Sequence, residues 1–203
     1  MKTANINDKQ KVISIIEESF NDNPSIKWLI KNDDKKKRKL RALAEYMFDA
    51  GMNKNGVYLS SDNESVAICY LENGTDNPLK DCVLILKLII KALGFRNAFK
   101  VFKRQQYLKG YRPFESDYLY FWLFGSSNKG KGCGGAFELQ KGIFEMSEKL
   151  KLPIYMETSV KKNRIVYERF GFNVYHTWLL KKQSISMWLM RRNPKDYIEI
   201  SNL

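Results

Sequence analysis

Residues Tyr118 to Leu150 constrain the fold more than any other stretch, because an aromatic strand, a glycine-rich basic turn and an amphipathic helix follow one another without interruption. Tyr118-Leu119-Tyr120-Phe121-Trp122-Leu123-Phe124 carries large apolar side chains on both faces, as a central strand covered on two sides requires. The turn reads Gly125-Ser126-Ser127-Asn128-Lys129-Gly130-Lys131-Gly132-Cys133-Gly134-Gly135. Beyond it Ala136, Phe137, Leu139, Ile143, Phe144, Met146 and Leu150 recur at helical spacing with polar residues between them. The first N–H groups of a helix have no partner inside it, and the helix dipole is positive at that end, so such a turn selects an anion. Glycines keep side chains out of the way, Lys129 and Lys131 add charge, and the expected ligand carries phosphate.

Three phosphate-binding patterns overlap here. Gly125 to Gly132 nearly spells the nucleoside-triphosphate loop, but Gly132 stands where a hydroxyl should hold magnesium, and about a third of the chain remains for the sheet that follows such a loop. Gly130, Gly132 and Gly135 spell the dinucleotide fingerprint, with Glu157 near the expected place of a ribose-binding acid. Against it, Gly125 to Lys129 separate the first glycine from the strand, and no second run of βαβ units follows. The third pattern, Lys129-Gly130-Lys131-Gly132-Cys133-Gly134, resembles the R/Q-x-x-G-x-G/A turn of the GNAT superfamily of N-acetyltransferases. A strand at Pro153 to Thr158 follows, and then Asn163-Arg164-Ile165-Val166-Tyr167-Glu168-Arg169-Phe170-Gly171-Phe172. That segment is similar to the family's second signature, an Asn, a Tyr four residues on and a closing Gly-Phe. Two departures stand out: Lys129 replaces the usual Arg or Gln, and Ser126 stands where the family often has Pro.

The resemblance implies an α/β fold of the α+β type. Its sheet is twisted and mostly antiparallel with a parallel pair at its centre, helices cover both faces, and a helical segment is inserted before the central strand. It implies acetyl-CoA as co-substrate and no metal. The pyrophosphate would lie on the backbone of Lys129, Gly130, Lys131, Gly132, Cys133, Gly134 and Gly135. The pantetheine arm would run along Leu123, Phe124 and Gly125, contacted by Asn163, which a helix N-cap role would equally explain. Tyr167 matches the tyrosine that gives a proton to the coenzyme sulfur, and a phenol that titrates near 10 is protonated at neutral pH. The proton acceptor is open among Glu115, Asp117 and Glu157, with Glu115 preferred because strand entrances open toward the acceptor. His176, the single histidine, sits in an apolar strand where a structural role is the first expectation. The implied activity is transfer of acetyl to the amine of a small molecule or peptide by direct attack in a ternary complex. The rival is a non-catalytic acyl-CoA-binding module, favoured by the lack of an acid within Tyr118 to Phe124 and opposed by Tyr167.

With 203 residues, 44% of them hydrophobic, the chain can bury a substantial core as one domain. Its parts would be N-terminal strands and helices to residue 72, a helical insertion at 79–112, a cofactor core at 117–192 and a tail at 193–203. The net charge of +13 peaks in Lys35-Lys36-Lys37-Arg38-Lys39, at the head of a helix whose apolar stripe is Leu40, Leu43, Ala44, Met47 and Phe48. A solvated helix face is the plain explanation, and steering of a polyanion or partner binding is the alternative. No zinc-finger or RNA-binding signature raises a nucleic-acid role. Three cysteines, without metal-ligand spacing, read as reduced thiols of a cytoplasmic protein, and the polar N-terminus carries no export signal.

Met1 to Ile6 reads as an edge strand, Asn7 and Asp8 as a cap, and Val12, Ile13, Ile16 and Phe20 as the buried face of a first helix. Ile26, Trp28 and Leu29 belong to the core or to the acceptor wall. A second helix closes near Gly51, strands follow at 56–60 and 65–71, and residues 73–78 break the pattern. In 79–112 the run Val83 to Ile90 is interrupted by Lys87 and Lys91 long before the roughly 20 apolar residues of a membrane span. Two helices divided near Gly94 are expected, covering the acceptor side, packing, or forming a homodimer contact, with a membrane-surface helix as a third option. The chain closes with strands Val174 to Leu180 and Ile185 to Met190, turned by Lys181 to Ser184, and a polar tail from Arg191.

Overall fold

The computed structural model describes residues 1–30, 33–72, 78–112, 117–180 and 185–195. Glu115, residues 73–77, the turn at 181–184, the tail beyond 195 and the side chain of Trp28 lie outside the described residues. One sheet contains β1 (Lys2–Thr3), β2 (Val57–Leu59), β3 (Ser65–Leu71), β4 (Leu119–Ser126), β5 (Ile154–Thr158), β6 (Asn173–Leu180) and β7 (Ile185–Arg192), in the order β1-β2-β3-β4-β5-β7-β6. Every neighbouring pair is antiparallel except β4 and β5, the parallel pair at the centre. This is the mixed sheet that the resemblance implied.

Alternation along the central strands divides the core in two. Val66, Ile68 and Tyr70 of β3 meet α1 (Lys9–Phe20) and α3 (Lys36–Asn53) through Val12, Ile16, Ala44 and Phe48. Ala67 and Cys69 face the other way, onto Leu139 and Ile143 of α6 (Gly135–Leu150). That two-residue period is what a strand covered on both faces shows. The start of α1 differs from expectation: the cap is Asn5, whose side chain accepts from Asn7 N at 2.8 Å while Asp8 accepts from Asn5 N at 2.9 Å. This reciprocal capping box encloses a 3-10 turn, Ile6–Asp8, that feeds into α1. The basic run heads α3 as expected, and part of it is paired, Lys39 with Asp33 at 2.6 Å and Arg41 with Gln10 at 2.6 Å.

Two irregularities of β4 create the space between the central strands. Opposite β3, Ile68 faces Leu123 and Cys69 faces Phe121, so Trp122 is an extra residue, a bulge that turns Trp122 and Leu123 to the same side. Toward β5, pairing stops after Leu119–Ile154 and Tyr120–Tyr155. From Phe121 onward the two strands diverge.

The insertion forms α4 (Pro78–Leu88), a π-helical turn (Ile89–Leu93) and α5 (Gly94–Lys109). The division falls at Gly94, whose φ of +65° suits glycine. Leu88, Ala92 and Leu93 pack on Ile26, Ile30, Leu40 and Leu43. The far end of α5 docks on the last hairpin. Tyr107 is hydrogen-bonded to His176 Nε2 at 2.8 Å and stacks on Trp178, while Tyr111 stacks on His176 at 3.7 Å between centroids. His176 therefore joins two elements, the structural role its apolar strand suggested. The last strand outruns the expected Met190 because Arg191 and Arg192 continue the ladder with Tyr155 and Ile154, and Arg192 is tied to Glu148 at 3.0 Å. Among the described residues no helix is long and apolar enough to cross a membrane.

At Gly125 the end of α1 lies against β4: Ser19 Oγ donates to Ser126 O at 2.7 Å, and a Cβ at Gly125 would sit 2.6 Å from that hydroxyl oxygen. Gly125→Val should lower stability by about 1–3 kcal/mol through this overlap. A reduced urea midpoint at unchanged m-value checks it, and an unchanged midpoint would show that α1 does not need the close approach.

Candidate active site

The glycine turn is anchored from beneath and open above. Ser127, buried below it, donates its N–H to Glu64 O at 2.8 Å and its hydroxyl to the Glu64 carboxylate, while Ser127 Oγ accepts from Gly130 N at 3.0 Å. Lys11 pairs with Glu64 at 2.6 Å, and Asn128 N donates to Glu18 at 2.8 Å. Lys11 and then Ser127 hold the Glu64 carboxyl below its ordinary range. A Cβ at Gly130 would lie 2.7 Å from the Glu64 backbone oxygen, so this glycine is needed for close approach. Gly132 and Gly134 serve another purpose. Their φ angles are +83° and +85°, and the space where a Cβ would project is empty to 4 Å. Gly134 is the N-cap of α6, and among the described residues the N–H groups of Gly132, Gly134, Gly135 and Ala136 have no acceptor. Lys129, Lys131 and Cys133 are exposed around them. Free amides, empty space and nearby ammonium groups fit a phosphate.

Along β4 the turn leads back to a cavity of about 770 Å³ at the divergence of the central strands. Leu123 and Phe124 of β4 line it from one side, and Met156, Glu157 and Thr158 of β5 from the other. Ile26 and Leu29 of α2 (Pro24–Leu29) close part of its wall, and α4 and α5 contribute Ile85, Leu88, Phe99 and Arg104. The insertion thus both packs on α2 and α3 and supplies part of the cavity wall.

Tyr167 and Asn163 reach the cavity from α7 (Lys161–Arg169). The Tyr167 ring packs edge-on against Phe172 at 5.8 Å, and no described residue hydrogen-bonds its hydroxyl. Burial pushes its pKa up to about 12. Asn163 is the third residue of α7, and the N-cap position belongs to Val160, so the capping role does not apply. Asn163 is exposed toward the cavity.

The two described acids, Asp117 and Glu157, separate clearly. Glu115 lies outside the described residues, and Asp117 is exposed and off the cavity wall. Glu157 is on that wall, with 7% of its side chain exposed. Arg112 donates to its Oε1 through Nε at 3.0 Å and Nη2 at 2.8 Å, and the Tyr120 hydroxyl donates to its Oε2 at 2.6 Å. The Arg112 guanidinium also lies over the Tyr120 ring, 4.0 Å from its centroid. Sequence reasoning missed Arg112 and Tyr120. One looks like the end of a basic run and the other like a core residue of β4, and their meeting with Glu157 depends on the parallel pairing.

The comparisons agree with this architecture. No family model matches the chain. An uncharacterized N-acetyltransferase of Schizosaccharomyces pombe is 26% identical over 211 aligned positions, covering 98% of this chain and 81% of the relative. Among solved structures, arylalkylamine N-acetyltransferase 2 of Aedes aegypti matches with a TM-score of 0.68 and 14% identity, over 95% of this chain and 97% of that one. A Corynebacterium glutamicum protein described as histone acetyltransferase HPA2 and related acetyltransferase gives 0.65 and 19%, over 95% and 94%. The fold is that of the acetyltransferases. The fold, the two sequence signatures and the curated relative agree with the resemblance to the GNAT superfamily of N-acetyltransferases.

Two stability measurements probe the cavity floor. Arg112→Met leaves the Glu157 carboxylate buried without its cation and should cost about 3–5 kcal/mol, with part recovered in Arg112→Met/Glu157→Gln. Equal urea midpoints for wild type and the single variant would remove the pair from the fold's energetics. For Tyr167 the folded pKa of about 12 exceeds the ordinary 10, so its contribution is complete below pH 10 and is lost as pH rises toward 12. Tyr167→Phe should lose less stability than wild type across that window, and parallel losses would show that the hydroxyl is not buried.

Proposed function

We propose that the protein transfers the acetyl group of acetyl-CoA to the amine of a small molecule or peptide, by direct attack within a ternary complex. The observation that carries this reading is the divergence of β4 from β5, which leads into the glycine turn at one end and has Tyr167 on its wall. In this reading the backbone of Lys129 to Gly135 holds the pyrophosphate. The β4 edge at Leu123, Phe124 and Gly125, without a partner on the β5 side, offers backbone groups to the pantetheine arm, and Asn163 contacts that arm. Bound acetyl-CoA supplies an acyl thioester open to attack by an amine.

The chain's own groups move the protons. Of the acids weighed from the sequence, Glu115 lies outside the described residues, Asp117 is off the cavity wall and Glu157 is on it, and in this reading Glu157 is the proton acceptor. Its carboxylate receives the proton that an acceptor ammonium must lose, directly or through one water, while Arg112 and Tyr120 fix its orientation. Tyr167, with its pKa pushed up to about 12, keeps a proton at its hydroxyl at neutral pH for the departing thiolate. One observation favours the non-catalytic acyl-CoA-binding alternative: both Glu157 oxygens already accept hydrogen bonds. Binding without thiol release would select that alternative.

Calorimetric titration should give micromolar binding of acetyl-CoA, and none would sink the reading of the turn. Gly134→Val places a side chain over the free amides in a left-handed position and should weaken that binding by about tenfold or more. Tyr167→Phe should lower kcat by about a hundredfold at unchanged acetyl-CoA affinity, and unchanged thiol release would remove Tyr167 from the mechanism.

A further inference from the structure

Among the described residues, one charge on the cavity wall is left without a partner. That wall includes the cations Lys54, Arg104, Lys109 and Arg112 and the acids Glu72, Asp81 and Glu157. Glu157 binds Arg112, Glu72 lies 3.8 Å from Lys54, and Asp81 accepts a hydrogen bond from Asn53 at 2.9 Å. Lys109 is exposed to water. Among the described residues Arg104, on α5, has no hydrogen-bond acceptor and no ion-pair partner, and its Nε is buried without one. Burial pushes its pKa down and Glu157 opposes that, yet the two side chains do not pair. A guanidinium stays charged at any physiological pH, and burying one of its donors without an acceptor is costly.

A planar fork of donors facing a cavity matches a carboxylate, which it can hold through two parallel hydrogen bonds. Much of the rest of the wall is apolar, aliphatic and aromatic together. Tyr46 and Tyr70 stand edge-on to Trp122 with centroids 6.0 and 6.3 Å away. The geometry points to an acceptor that carries a carboxylate besides its amine, an apolar or aromatic amino acid or a close analogue, seated with the carboxylate on Arg104 and the amine toward Glu157. This rests on the acetyl-transfer reading of the same cavity. The coenzyme's phosphates are the other anion to consider. On β4 the cavity wall ends at Phe124, before the turn, so the acceptor is the better source.

The probes are phenylalanine, phenylalaninamide and phenethylamine, with wild type, Arg104→Gln and Arg104→Lys. Wild type should favour phenylalanine over its amide by about tenfold or more in kcat/KM, Arg104→Gln should erase that preference, and Arg104→Lys should keep part of it. Acetyl-CoA affinity should be the same in all three proteins, and Arg104→Gln should melt no lower than wild type, because the lost charge had no partner. A readout independent of turnover is the thermal shift with CoA plus N-acetylphenylalanine, compared with CoA plus N-acetylphenethylamine. A larger shift with the carboxylate, lost in Arg104→Gln, supports the assignment. Equal shifts, including none, overturn it, as does a loss of acetyl-CoA affinity in Arg104→Gln, which would make Arg104 a coenzyme contact. Failure of wild type to bind acetyl-CoA would instead sink the acetyl-transfer reading.

Discussion

Two ladder pairs, Leu119 with Ile154 and Tyr120 with Tyr155, are all that joins β4 to β5, and the site depends on that shortfall. A central strand normally satisfies its backbone on both edges, so six residues of β4 that face no strand on one side leave polar groups in search of partners. The sheet tolerates this because β4 stays paired with β3 on both sides of one bulge and β5 is held by β7. The bulge at Trp122 adds twist where the strands part. A gap that would be a defect in a purely structural sheet becomes the opening that gives the cavity its position.

Where the ladder is missing, a polar tie replaces it. Tyr120 from β4, Glu157 from β5 and Arg112 from the end of the insertion meet within hydrogen-bonding distance at the floor of the divergence. Buried ion pairs add little net stability, because desolvation offsets attraction, but a broken one is expensive. The trio thereby fixes geometry more than it stabilises. Arg104 stands in contrast a few residues earlier, with a charge that no described residue pairs.

How much of this was legible in the chain follows from the range of each interaction. The turn could be read because its causes are local: glycines at positive φ, a helix start directly behind, and lysines between them. Sheet order followed from two signatures in sequence. The division of the insertion showed at Gly94 because glycine is the residue that suits such a break. Glu157, by contrast, gains its partners from residues 37 and 45 positions away, and only parallel pairing brings them together. The preference for Glu115 came from strand direction alone, which says nothing of which acids the neighbouring strand presents. Arg104 was hidden among the lysines of a basic helix, since its distinction is the absence of a partner. The Asn5 cap was missed for a smaller reason. Asn5 and Asp8 clasp a single 3-10 turn, which sets the cap two residues before the first candidate.

The glycine turn and the cavity wall are carried by different parts of the chain. The turn hangs from β4 and α6 and is anchored by Glu64 and Glu18, whereas much of the wall belongs to α4 and α5, which meet the sheet through Tyr107, Tyr111, His176 and Trp178. Residues that line the wall can therefore change without disturbing the anchors beneath the turn. Descent from one ancestor could thus yield proteins that share a donor and differ in everything they modify, with the inserted helices as the segment on which diversification acts.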